Sequence, residues 1–322
     1  MAFATGIGSM PGTDFAESLR IVMGEVGDLV HVPELPDRGV HAGMIGRTLA
    51  VLDGLGADLQ PDGWRIGVGE GADLRRARSL LAQDLDVAEE IAGMHDGLLK
   101  LQVTGPLTLA ASVERPRGDK MLADHGARRE IAESLAEGLR AHIAVARRRF
   151  PHAQVLVQVD EPSIVPVLTG GIATASGFSR HRSVHPPEAD ALLRAVVEAI
   201  TEAGARPAVH SCAPDVPVEL LVGAGFTAIT FDLSLARPDD VWAESFEQGT
   251  DLWFGVVPST DTSGVSDKVL ADRIEAFFGH FGFGEETYAE RLVVTPTCGL
   301  AGASPTWAQK ALSTAQSVAA RR

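Results

Sequence analysis

The chain predicts an α/β fold, a single (β/α)8 TIM barrel, on three observations. Eight short apolar runs alternate with longer helical patterns along the whole sequence. The runs are mostly continuous rather than strictly alternating, as expected of parallel strands covered on both faces. No break in composition divides the 322 residues, so one domain over 1–322 is expected rather than two. At 45% hydrophobic, the chain can fill the core of such a barrel. A doubly wound open sheet shares the alternation and is the competing fold, because strand count does not prove closure.

The elements follow in order. AFATGIG (2–8) is the first apolar run, and the helical stretch AESLRIVMGEV follows it. LVHV (29–32) is the second. Residues 56–75 are rich in Gly and Asp, and WRIGV (64–68) reads as part of a small hairpin. LLKLQVTG (98–105) is the third run, and the helical RREIAESLAEGLRAHIAVARRRF leads into QVLVQVD (154–160). The stretch 162–186, with its Gly, Ser and Pro, is a long loop: a lid or binding loop, or a disordered insertion. EADALLRAVVEAITEAG ends at a glycine, as helices often do, and precedes PAVHSC (207–212). TAITFD (227–232) and LWFGVV (252–257) come next. SDKVLADRIEAFFGHF precedes RLVVTPTC (291–298), and PTWAQKALSTAQSVAARR closes the chain.

Charge narrows the functional classes. The net charge is −15, which repels a phosphate backbone, so no nucleic-acid partner is expected. No segment has roughly 18 consecutive apolar residues, so no membrane span is expected. The opening MAFATGIGSMPG lacks the basic and apolar regions of a secretory signal. Two cysteines do not make a disulfide scaffold at this size, and the expected compartment is the cytoplasm.

A TIM barrel carries its chemistry at the C-terminal ends of its strands. The fifth run ends in His210-Ser211-Cys212, the sixth in Asp232, the eighth in Cys298, the fourth in Asp160-Glu161-Pro162 and the first in Ile7-Gly8-Ser9. His210 and Cys212 are two apart on a strand, so their side chains share a face. With Asp232 and Cys298 they form a set of one nitrogen, one oxygen and two sulfurs, which suits tetrahedral zinc. Taken singly, each residue has a plainer role: a free cysteine is usually core, and an Asp after a strand is usually a helix cap. Glu161 is expected to point away from the site and bind another barrel residue. His181 and His185, in the long loop, are expected to be solvated.

VHSCAP, ITFD and TPTCGL, in this order, resemble the catalytic barrel of the cobalamin-independent methionine synthase family, in the uroporphyrinogen decarboxylase/methionine synthase-like superfamily. TGIGSMP near the start, TGPLTL at 104–109 and VQVDEP at 157–162 agree with it. The resemblance covers essentially the whole chain. It is to the C-terminal barrel of a two-barrel enzyme, so the N-terminal barrel is expected to be absent.

The resemblance implies methyl transfer to homocysteine, with zinc held by His210, Cys212, Cys298 and an acidic residue. That acid is usually Glu and here is Asp232, one methylene shorter. It implies a homocysteine site at Ile7, Gly8 and Ser9, with the amino group on Glu34 and Asp160. Asp160 is the residue expected at the reaction centre, although it has a plainer reading as a hydrogen-bonding residue of the barrel rim. Three further features of the family are missing. Ser112 stands where a folate-stacking Trp is expected, Pro166 in place of an acidic folate contact, and Ser259 or Thr260 in place of a catalytic His.

Zinc coordination deprotonates a thiol whose ordinary pKa is about 8.5. The leading expectation is therefore a zinc-dependent homocysteine methyltransferase whose donor is a methylcorrinoid, its carrier protein or another small carrier instead of folate. The alternatives are an alkyltransferase of the coenzyme M type, a metal-free decarboxylase of the uroporphyrinogen branch, and a non-catalytic barrel with structural zinc. Glu34 and Asp160 repel a sulfonate, which counts against coenzyme M. The first strand end, TGIGSMPG, lacks the Arg that a multi-carboxylate substrate needs.

Overall fold

A computed structural model describes residues 3–321. The expected first strand residue, Ala2, and the last residue of the closing helix, Arg322, lie outside the described residues. The strands are β1 (Phe3–Ala4), β2 (Leu29–His31), β3 (Gly56–Gln60), β4 (Gly63–Gly67), β5 (Leu98–Thr104), β6 (Gln154–Asp160), β7 (Arg206–Ser211), β8 (Ala228–Asp232), β9 (Asp251–Val257) and β10 (Val293–Pro296). All eight runs read from the sequence contain barrel strands. β3 and β4 form the antiparallel hairpin expected around WRIGV, outside the main sheet.

The main sheet has the order β1-β10-β9-β8-β7-β6-β5-β2, every neighbour parallel. Its two ends meet. Ser9 and Glu34 form a parallel bridge. The Glu34 N–H donates to Gly8 O (3.0 Å), and the Met10 N–H to Glu34 O (2.9 Å). The sheet thus comes round on itself, and the open doubly wound alternative falls.

Closure at this seam is unusual because side chains contribute to it. The Gly6 N–H donates to Nδ1 of the fully buried His31 (3.2 Å). The Gly6 carbonyl accepts from the Lys100 ammonium (2.6 Å). Position 6 must be glycine for this, because a Cβ would run into the His31 ring.

Alternation along the strands fixes the two faces. Leu29, Leu156, Ala208, Ala228, Trp253 and Val293 pack together as an apolar plug, a core cluster separate from the main one. Polar side chains are buried alongside them: His31, Lys100, Gln158, His210, Thr230 and Thr295. The main apolar cluster joins strands and helices, as Val103, Val157, Val209, Leu139, Ile143 and Leu193 illustrate. Register places Thr104, Asp160 and His210 side by side on β5, β6 and β7.

The connections hold their own positions. Asp14 caps helix Phe15–Val26 through the Glu17 N–H, and Ser304 caps helix Pro305–Ala320 through the Trp307 N–H. Glu161 points away from the site, as expected. It accepts from the N–H groups of Leu107 (2.9 Å) and Thr108 (2.8 Å) and from the Thr108 hydroxyl (2.6 Å), at the start of helix Pro106–Ser112. Burial pushes its carboxyl up to about 7 against the pull of these donors.

The stretch 162–186 is ordered, not a disordered insertion. It contains helix Ile164–Thr169, and the Val184 N–H returns to Val167 O (3.1 Å). His181 corrects the expectation of a solvated loop histidine: it is buried and pairs with Asp119 (3.2 Å). His185 is exposed, at the cap of helix Pro186–Glu202.

Two outcomes follow from this packing. Gly138 lies inside helix His125–Arg149, where alanine ordinarily adds about 1 kcal/mol of stability. A Cβ there would collide with the Val51 carbonyl oxygen, which is backbone and cannot turn aside. Gly138→Ala is therefore expected to lower stability in urea by about 1–3 kcal/mol, the scale of overpacking, and a gain would refute the packing described. The second concerns Glu161, whose folded pKa is raised from 4.5 to about 7. Its contribution is present in full below about pH 4.5 and is lost as pH rises through about 7. Glu161→Gln should flatten the dependence of urea stability on pH in that window, and an unchanged slope would assign it elsewhere.

Candidate metal and substrate site

A cavity of about 310 Å3 opens at the C-terminal ends of the strands. Ile7, Gly8 and Ser9 line it just after β1, Glu34 just after β2, Asp160 at the end of β6, His210 and Cys212 at the end of β7, and Cys298 just after β10. Ala42, Met44, Pro36 and Pro162 supply the apolar remainder with Gly299. Every residue expected to bind metal or substrate lines this cavity except Asp232. Of the loop 162–186, only Pro162 does so.

One wall is rich in soft ligands. Ligand atoms of His210, Cys212 and Cys298 all lie within 4.8 Å of one another. The two sulfurs are 2.8 Å apart and the cysteines are not disulfide-bonded. His210 is buried, yet neither ring nitrogen has a hydrogen-bond partner. Such a ring leaves polar atoms unsatisfied at a cost that a ligated ion removes. The facing Cys212 thiol, with His210 alongside, holds Cys298 well below the ordinary thiol range, while Cys298 and burial push Cys212 up. One nitrogen and two sulfurs within reach of one point suit zinc.

Asp232 is not in this group. Its Oδ1 accepts from the Ser234 N–H (2.8 Å) and hydroxyl (2.7 Å), closing a local turn. It lines a second cleft, of about 710 Å3, with Ser259, Thr260 and Arg273. Local hydrogen bonding has claimed the side chain that strand alternation would aim at the metal group.

The same cavity is also acidic. Glu34 and Asp160 are both buried. Burial pushes the Asp160 carboxyl well above the usual range, and the nearby Glu34 charge adds to this. Burial raises Glu34 too, against the pull of Arg47 and Lys100. Arg47 faces Glu34 (Nε to Oε1, 3.3 Å) and also Asp84 (2.9 Å). Asp84 in turn takes both terminal nitrogens of Arg38 (2.8 and 2.6 Å). This buried chain of alternating charge fixes Glu34 from behind.

Sequence reasoning missed Lys100, Gln158 and Arg47. The first two carried a signal: a lysine inside LLKLQVTG and a glutamine inside VLVQVD interrupt otherwise buried apolar strands. Arg47 carried none, because charged residues on helices usually face water.

The fold and the site define a class: a parallel TIM barrel with a His-Cys-Cys group at its strand ends, in one cavity with two buried carboxylates. The profile of the family described as the catalytic domain of cobalamin-independent synthase matches residues 68–321, and the chain belongs to that family. Ile7, Gly8, Ser9 and Glu34 precede the matched segment. Among solved structures, the chain is similar to a B12-independent methionine synthase from Shewanella sp. W3-18-1 in complex with selenomethionine. The TM-score is 0.61 at 13% identity, over 99% of this chain and 96% of that one, a likeness of fold. A 2,3-dimethylmalate lyase of the PEP mutase/isocitrate lyase superfamily overlaps with a TM-score of 0.37 at 13% identity, over 92% of this chain and 77% of that one. No curated protein matches the chain. Among the described residues, no helix is long and apolar enough to cross a membrane.

If His210, Cys212 and Cys298 form one metal site, Cys298→Ser should lose most of the zinc that the parent retains, read by elemental analysis of protein purified without added metal. Full zinc occupancy in that variant would refute the site.

Proposed function

We propose that this barrel is a zinc-dependent thiol methyltransferase that converts homocysteine to methionine. The observation that carries the reading is the meeting in one small cavity of three soft ligands, His210, Cys212 and Cys298, with two carboxylates, Glu34 and Asp160. An aminothiol fits this division, with its sulfur toward the soft ligands and its ammonium toward the carboxylates. The same carboxylates repel a sulfonate, which argues against coenzyme M. Membership of the family and the likeness to a B12-independent methionine synthase support the same substrate.

His210, Cys212 and Cys298 would hold the zinc. When bound there, the ion supplies the Lewis acidity that keeps a thiol as its nucleophilic thiolate at neutral pH. With Asp232 as an exchangeable fourth ligand, the substrate thiol would enter by displacing it, as the fourth position of a catalytic zinc site allows. Asp232 joins this set only by giving up its Ser234 bonds. Two hydrogen bonds cost about 1–3 kcal/mol, against metal binding on the order of 10 kcal/mol, so the rearrangement is affordable and Asp232 is retained as the proposed fourth ligand.

The remaining work belongs to the chain. Glu34 and Asp160 orient the substrate through its ammonium, and Asp160 stands nearest in register to His210. Ile7, Gly8 and Ser9 border the same space. Met44, Ala42 and the prolines exclude water, which strengthens each charged contact.

The donor side is less like the family. Ser112 ends helix Pro106–Ser112, Pro166 lies in helix Ile164–Thr169, and Ser259 bonds Thr297 (3.3 Å); none offers the aromatic, acidic or imidazole group that a folate enzyme would use there. A methylcorrinoid or its carrier protein gains no support from a family described as cobalamin-independent. Two reduced cysteines in the metal set fit a reducing cytosol.

Titration calorimetry of the zinc-loaded protein with homocysteine, in buffers of different ionisation enthalpy, is expected to show binding with release of a proton. Asp160→Asn should keep its zinc and bind homocysteine roughly 10–100-fold more weakly, the scale of one charge-assisted hydrogen bond. No binding by the parent protein would reject the reading, and unchanged affinity in the variant would reject the role of Asp160.

A further inference from the structure

We infer that Lys100 is a positioning residue for the amino-acid end of the substrate, holding the Ile7–Gly8–Ser9 backbone and the Asp160 carboxylate in a single hydrogen-bonded unit. The inference rests on the aminothiol reading above and extends it to a residue that never touches the substrate.

Lys100 sits on β5 inside the barrel and is fully buried. Its ammonium has three N–H donors and three acceptors: Gly6 O (2.6 Å), Ile7 O (3.0 Å) and Gln158 Oε1. All its donors are spent, so it has none to offer a ligand. Gln158 continues the unit. Its Nε2 donates to Ile7 O (2.8 Å) and to Asp160 Oδ1 (2.7 Å). The Ile7 carbonyl therefore accepts from both side chains, and one of them also fixes Asp160.

The backbone here needs such a hold. β1 ends at Ala4, and the β1–β2 seam closes only at the Ser9–Glu34 bridge. Between them the Gly6 and Ile7 carbonyls have Lys100 as a common donor. Two observations argue against a merely structural lysine. A buried ammonium costs stability that its three hydrogen bonds only offset, so stability alone does not call for a charge at this position. Lys100 also lies close enough to Glu34 and Asp160 for their charges to act on it: burial lowers its ammonium to about 7, and the two carboxylates oppose that.

The test compares two thiols on the zinc-loaded protein. Homocysteine carries the amino-acid end, and 1-propanethiol offers sulfur alone. Lys100→Met keeps the length of the side chain and removes its charge and donors. It is expected to retain zinc, to bind homocysteine at least tenfold more weakly, and to bind propanethiol within twofold of the parent. Equal losses for both thiols would show a general structural role and overturn the inference, as would unchanged homocysteine binding. Failure of the parent protein to bind homocysteine would instead reject the functional reading, and this inference with it. If Lys100→Met does not fold, Gln158→Leu is decisive: it cuts the link from Ile7 to Asp160, and the same split between the thiols must appear.

Discussion

Closing the barrel is the constraint on which the rest of this structure depends. Seven of the eight junctions in the sheet are ordinary parallel ladders. The eighth, between β1 and β2, has a bridge at Ser9–Glu34 and two side chains reaching Gly6, His31 from β2 and Lys100 from β5. Backbone pairing alone would have needed only apolar residues inside. Using side chains instead brings a histidine and a lysine into the interior and leaves the backbone after β1 free to border a cavity. Ile7, Gly8, Ser9 and Glu34, at this seam, line the same cavity as Asp160, His210, Cys212 and Cys298, so closure also brings the two carboxylates and the soft ligands into one space.

The charges within the barrel are arranged in two connected sets. Glu34, Arg47, Asp84 and Arg38 form a chain of alternating sign running outward from the cavity. Lys100, Gln158 and Asp160 form another beneath it. Neither set is a source of net stability in the ordinary sense, because each buried charge gives up hydration that its partners only just restore. Their effect is to fix geometry. Glu34 is held from behind by Arg47, and Asp160 from below by Gln158, so both carboxylates keep their place when a ligand is absent. This is preorganisation, and it is what allows a small cavity to recognise a small cation.

The two halves of the inferred reaction are unequally represented. The half that binds and activates a thiol is dense: soft ligands, acidic wall, backbone cradle and supporting network all converge on one cavity of about 310 Å3. The half that would bring a methyl donor is sparse where the family usually has its contacts. The larger cleft beside Asp232, about 710 Å3, opens on a different group of loops and shares no lining residue with the first.

Much of this was legible in the sequence. Eight continuous apolar runs separated by helical stretches determined the barrel, because period and length are local properties that a single pass can read. The cysteines and His210 could be placed at strand ends for the same reason, and period two put His210 and Cys212 on one face. Glu161 was correctly sent away from the site. Tertiary structure alone decided the rest. His181 became buried because Asp119, distant in sequence, reached it. The Asp232 carboxylate accepts from Ser234, so its place in the metal set depends on a competition between a local turn and a long-range ligand that no spacing rule resolves. Lys100 and Gln158 looked like isolated interruptions in apolar strands, and their meaning lies in partners about 94 and 151 residues away along the chain, Gly6 and Ile7. Periodicity fixes which face a residue occupies; only the folded chain fixes whose donor meets whose acceptor.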